Sequence, residues 1–108
     1  MKRCKFTKIV AGLSVVASIM GTTAFAEDTR IALVVKALGI GFFEAAAKGA
    51  EEAAAELGGV KIIYTGPTST TAEGQIEVIN SLIAQGVDAI AVSANDPDAL
   101  APALKKAM

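Results

Sequence analysis

Two kinds of apolar pattern divide the chain. Ahead of residue 27 lies one unbroken run of small apolar side chains, Ile9 to Met20 (IVAGLSVVASIM). After it, short apolar strands alternate with helical stripes three times. Arg30 to Val35 (RIALVV) is a continuous apolar run of strand length, as expected for a parallel strand covered on both faces. The turn Leu38-Gly39-Ile40-Gly41 leads into FFEAAAKGAEEAAAEL, where Phe43, Ala46, Ala50, Ala53 and Leu57 recur at steps of three and four and trace one stripe. Glu44, Lys48, Glu52 and Glu56 fall on the opposite face, with Glu44 and Lys48 in the favourable i,i+4 order. Gly58-Gly59 supplies the left-handed geometry that often ends a helix. A stripe made mostly of alanine predicts a helix lying close against its sheet.

The second unit repeats the plan. Val60 to Thr65 (VKIIYT) reads as a strand broken by Gly66-Pro67. Thr70-Thr71-Ala72-Glu73 has the capping-box form, with Thr70 bonding the first turn and Glu73 reaching back. Ala72, Ile76, Ile79 and Ile83 then mark a helix closed by Gly86. The third strand is Ala89 to Ser93 (AIAVS), followed by Asp96 as N-cap and Pro97 at the first helical position. Pro102 sits too deep for a regular helix, so an irregular first turn is expected, with the main helix starting near Pro102 and Leu100, Leu104 and Ala107 facing inward.

Strand and helix in alternation with short connections specify an α/β fold, a βαβαβα three-layer unit with a parallel sheet and right-handed crossovers. A three-stranded sheet has exposed edges and little core, and no stop signal precedes Met108. Residues 27–108 are therefore expected to form an incomplete lobe.

The segment before this unit is read differently. Lys2, Arg3, Lys5 and Lys8 form a basic start, the apolar run Ile9–Met20 follows, Gly21-Thr22-Thr23 breaks it, and Ala24-Phe25-Ala26 offers small residues at a cleavage site. Residues 1–26 thus read as a secretory signal peptide cut after Ala26. Cys4 lies too near the start to be a lipoprotein cysteine, and its loss leaves a chain free of cysteine that needs no disulfide. Residues 27–108 carry six Lys and Arg against eleven Asp and Glu, a net charge of −5 with no basic cluster. That is a poor nucleic-acid binder, because neutralising phosphates takes grouped cations. The absence of histidine removes the commonest general base and metal ligand, which argues against hydrolase triads and zinc sites.

Open parallel sheets bind ligands outside the carboxyl ends of their strands. Three segments lie there: Lys36 to Phe43 (KALGIGFF), Thr65 to Thr71 (TGPTSTT) and Ser93 to Asp98 (SANDPD). Lys36, directly after an apolar strand, reads either as an ammonium donor to ligand oxygens or as a solvated strand-end lysine. An aromatic face suits the C–H face of a sugar ring, although phenylalanine more commonly belongs to a core. Adjacent helical residues diverge by about 100°, so the stripe claims Phe43 for the core and leaves Phe42 as the cleft residue. Asp96 and Thr70 read as caps. Leu38-Gly39-Ile40-Gly41 lacks the third glycine of a dinucleotide fingerprint, and no P-loop lysine is present.

The stretch from VVKALGIGFF through YTGPTSTTAEGQ to SANDPDALAPALKKAM resembles the N-terminal lobe of type I periplasmic sugar-binding proteins, in the branch holding rhamnose-binding and autoinducer-2-binding receptors. The resemblance implies that Lys36, Phe42 and Phe43 contact ligand. Where many relatives place an asparagine shortly before the aromatics, this chain has Ile40-Gly41. It further implies a non-enzymatic receptor, without cofactor or metal and monomeric when complete, that closes two lobes over a sugar and hands it to an ABC permease with its ATPase. Rhamnose is the first expected ligand and autoinducer-2 the second. An incomplete lobe is not expected to bind sugar by itself. A nucleotide- or phosphate-using α/β enzyme would need the glycine-rich phosphate loop that is missing. The sensor lobe of a transcription regulator would need a helix-turn-helix and a cytoplasmic address in place of the leader.

The leader makes a direct prediction. Mass spectrometry of protein from a periplasmic extract should find a mature N-terminus at Glu27; an intact Met1 terminus in the cytoplasm would remove the secretory reading.

Overall fold

The computed structural model describes residues 26–108 and the isolated Gly12. Apart from Gly12 and Ala26, the leader read over residues 1–26 lies outside the described residues. The elements run β1 (Thr29–Val34), α1 (Gly41–Leu57), β2 (Val60–Thr65), α2 (Ala72–Gln85), β3 (Ala89–Val92) and α3 (Pro97–Ala107). The strands are parallel in the order β2-β1-β3, with Val34 beside Thr65 on one side and Val92 on the other. Because β1 is central, right-handed crossovers send α1 to one face and α2 and α3 to the other, giving three layers.

The pleat of β1 decides what each face buries. Ala32 and Val34, both 0% exposed, pack with Leu82 of α2, and Ile63 and Ile90 from the flanking strands join them. A second cluster, Ile79, Leu100 and Ala103, seals α2 against α3. Burying Ile79 or Leu100 contributes about 1.5–3 kcal/mol each. Helix α2 therefore carries two inward rows. The expected stripe Ala72, Ile76, Ile79 and Ile83 is the row that meets α3. Val78 and Leu82 form another row, toward the sheet.

Several local expectations are corrected. In α1 the buried residues are Ala47 and Ala54, with Phe43 and Ala50 half-buried, while Ala46 and Ala53 are exposed and Leu57 is 77% exposed. Two rows of this alanine-rich helix have nearly equal hydrophobicity, so periodicity cannot choose between them; contact with β2 does. Lys48 pairs with Glu52 at 3.9 Å and not with Glu44, an exposed contact of little energetic weight. The N-cap of α2 is Thr71, whose Oγ1 accepts from Gly74 N–H at 3.2 Å, so the box of Thr70 and Glu73 does not form. This register puts Gly74 against Pro67, where any Cβ would meet Pro67 Cβ at 2.8 Å.

Helix α3 begins at Pro97 and runs through Pro102 without a break. Asp96 Oδ1 accepts from Ala99 N–H at 3.0 Å, as its cap role requires. Leu100, 0% exposed, anchors the first turn against α2, and a broken turn would forfeit that burial. The carbonyl deprived of a partner by Pro102 is that of Asp98, an exposed residue that water can serve. Leu104 is half-buried, whereas Ala107 is exposed, contrary to the expected stripe. Gly86 closes α2 in the left-handed region (φ 66°, ψ 41°), and Arg30 Nη2 donates to the carbonyls of Gln85 at 3.1 Å and Gly86 at 2.7 Å. The cation there also complements the negative end of the helix dipole.

Gly66 gives the sharpest packing test. A Cβ there would sit 2.9 Å from both Val35 Cγ2 and Val35 O, pinched between the ends of β2 and β1. Gly66→Ala should destabilise the complete protein by about 1–3 kcal/mol in urea unfolding, the usual cost of overpacking. An unchanged midpoint would show that the strand ends yield freely.

Candidate functional site

The carboxyl ends of all three strands open on one rim, and backbone bonds tie its loops together. Beyond β1, Val35 N–H donates to Thr65 O at 3.0 Å and Leu38 N–H to Pro67 O at 2.9 Å. On the other side Ser93 N–H donates to Val34 O at 2.9 Å. Val35 and Ala37 are buried at 1% and 5% exposure, so the strand-like alternation turns Lys36 outward into solvent at the rim. Here the structure places the first expected site residue at the end of the central strand.

The two aromatics lie at the start of α1, one short turn further along. Phe42 is 77% exposed, Phe43 is half-buried, and their rings meet edge to face with centroids 5.3 Å apart at 79°. This is the division of roles expected from the helical repeat, Phe43 turned toward the body and Phe42 toward solvent. An edge-to-face pair steadies an otherwise exposed ring. Ile40, the N-cap, gives no side-chain cap; its carbonyl accepts from Phe43 N–H at 2.9 Å and Glu44 N–H at 3.1 Å. Leu38 and Ile40 are also exposed, so the rim beside Phe42 is apolar. A cation and an exposed aromatic face are groups that suit a small molecule with an apolar face and polar edges. Among the described residues no group of His, Cys, Asp and Glu could hold a metal.

Beneath the rim lies a polar clamp that reading the sequence missed. Gln75 of α2 is 0% exposed and uses its whole amide. Its Nε2 donates to Val35 O at 3.0 Å and to Ser93 O at 2.8 Å, and its Oε1 accepts from Asn95 N–H at 2.7 Å. Asn95 extends the chain, its Nδ2 donating to Lys36 O at 2.9 Å and Thr71 O at 3.2 Å. The ends of β1 and β3 and the start of α2 are thus joined by two side chains. The available signal was a glutamine three residues before Val78 and seven before Leu82, in the row that faces the sheet. Asn95, next to the cap Asp96, carries no comparable signal.

Comparison with known proteins bears on this rim. The family model described as periplasmic binding protein domain matches residues 31–108. Among solved structures, LsrB from Clostridium saccharobutylicum in complex with AI-2 is 36% identical at a TM-score of 0.70, covering 72% of this chain and 24% of its own. A solute-binding protein of an ABC transporter from Agrobacterium vitis, bound with α-D-tagatopyranose, is 36% identical at 0.71, with 74% and 26% covered. Another from Burkholderia graminis, in complex with D-arabinose, is 35% identical at 0.70, with 77% and 28% covered. The chain spans about a quarter of the length of these solved relatives.

The clamp predicts its own cost. Gln75→Leu keeps the volume but strands two carbonyls and one N–H, at about 1–3 kcal/mol for each group that finds no water. Urea unfolding of the complete protein should show a loss of at least about 2 kcal/mol, and Gln75→Glu a loss as well, since a carboxylate cannot donate to Val35 O and Ser93 O. Wild-type stability in both variants would show that the clamp holds nothing.

Proposed function

The chain belongs to the periplasmic binding protein family, and from that premise we propose that it is part of a receptor, not an enzyme, that takes up a small sugar and passes it to an ABC importer. The observation that carries this reading is that an outward Lys36 and a solvent-facing Phe42 ring both stand in the segment beyond the carboxyl end of the central strand. A sugar offers two surfaces, an apolar C–H face and a hydroxyl edge, and the rim offers a partner for each. In this reading Lys36 Nζ donates to ligand oxygens and Phe42 stacks on the ring. Phe43 contributes at the edge of the same aromatic pair while holding Phe42 in place.

This rim is one wall. A ligand already well hydrogen-bonded to water gains little from one wall, and a second lobe closing over it supplies the remaining partners and excludes solvent. The family's periplasmic setting agrees with the leader read over residues 1–26, and an ABC permease with its ATPase is the partner this function requires. L-rhamnose is the first ligand to test. AI-2 is the second, favoured by its presence in the Clostridium relative.

Titration calorimetry on the complete protein, with L-rhamnose, AI-2, D-tagatose and D-arabinose, decides between them. Lys36→Ala should weaken binding of the recognised sugar about ten- to a hundredfold, the loss of about 1.5–3 kcal/mol from a charged donor. Phe42→Ala should also weaken it, whereas Phe43→Ala should mainly lower the melting temperature. Unchanged affinity in Lys36→Ala would return that residue to an ordinary solvated lysine, and no binding of any of the four sugars would overturn the ligand reading.

A further inference from the structure

We propose that Asn95 is a positioning residue for ligand binding, acting through the backbone of Lys36. The inference rests on the sugar-receptor reading for its functional half and on geometry for the rest. Asn95 stands three residues beyond β3, half-buried, with its own N–H fixed by the buried Gln75 Oε1 at 2.7 Å. Both hydrogens of its side-chain amide are spent on backbone, one on Lys36 O at 2.9 Å and one on Thr71 O at 3.2 Å. No donor of that nitrogen is left for a ligand.

The Lys36 carbonyl is an effective place to hold. It sits on the peptide between an outward Lys36 and a buried Ala37, so fixing it fixes the backbone rotation that sends the Lys36 side chain to the rim. On its far side the loop is pinned by Leu38 N–H to Pro67 O, and on its near side by Gln75 Nε2 to Val35 O. Asn95 supplies the middle anchor, reaching in from the loop between β3 and α3. A flexible lysine aimed by a fixed backbone loses less freedom when it binds, and that difference appears as affinity. Because Thr71 O shares the same amide, the α2 cap and the aim of Lys36 are set together.

The test uses the complete protein and two substitutions, Asn95→Ala and the same-shaped Asn95→Asp, each of which removes the donor and leaves the Gln75-to-backbone bond in place. Hydrogen exchange without ligand should quicken over residues 36–41 and stay as in wild type over β1, whereas general destabilisation would quicken both. Binding of whichever sugar wild type recognises among L-rhamnose, AI-2, D-tagatose and D-arabinose should weaken about three- to tenfold. In the cycle with Lys36→Ala, the double variant should bind no more weakly than Lys36→Ala alone, because residues that act through one contact are not additive. Unchanged exchange over residues 36–41, or fully additive losses in the cycle, would overturn the proposal. If wild type binds none of the four sugars, the receptor reading falls, and the exchange pattern by itself decides whether Asn95 holds the loop.

Discussion

One buried amide organises the working end of this fold. Where β1 and β3 stop pairing, the carbonyls of Val35 and Ser93 still need donors, and at that depth water does not reach them easily. Gln75 meets both and accepts from Asn95 in return, so all its hydrogen-bonding groups are used although the side chain is 0% exposed. A buried polar group so satisfied stabilises; half satisfied, it would cost more than an apolar residue in its place. Because Gln75 lies on α2, the helix cannot slide along the sheet without breaking all three bonds. The position of the rim loops follows from that restraint.

Topology explains why exposed side chains gather at this rim. With the order β2-β1-β3, the central strand ends between two neighbours, and the segment after it must rise over them to reach α1. Lys36, Leu38, Ile40 and Phe42 all belong to that segment and its continuation, and all are exposed. The body beneath is built from close contacts. Alanines at positions 32, 47, 54 and 103 are buried, which lets helices approach the sheet and each other. Gly66 and Gly74 remove side chains where β1 and Pro67 press nearest. A tightly packed base under an exposed rim holds the backbone that carries those side chains in one arrangement.

Membership in the periplasmic binding protein family places this wall in a larger design. The relatives in complex with AI-2, tagatopyranose and arabinose share about a third of their residues with this chain over its matched length, while the chain accounts for about a quarter of theirs. Those three ligands differ in shape, so the shared scaffold by itself does not specify one of them.

The order of elements was legible from residues alone. Apolar runs of strand length, glycines at the helix ends, and the Asp96-Pro97 start dictate local geometry through the backbone, so the three strands and three helices fell within a residue or two of where they were read, apart from the start of α3. The outward turn of Phe42 was legible for the same reason, being set by the helical repeat. What could not be read needs the third dimension. Two rows of α1 are both alanine, and only contact with β2 selects Ala47 and Ala54. Thr70 and Thr71 both suit a cap, and only Pro67 pressing on Gly74 selects Thr71. Pro102 should have interrupted α3, but the burial of Leu100 against α2 outweighs one missing bond. Gln75 and Asn95 look like ordinary polar residues, because their farthest partners lie 40 and 59 positions away and meet them only when the sheet has formed. Local chemistry determined the elements; long-range packing decided which of their faces is buried and which polar groups are spent holding the rim.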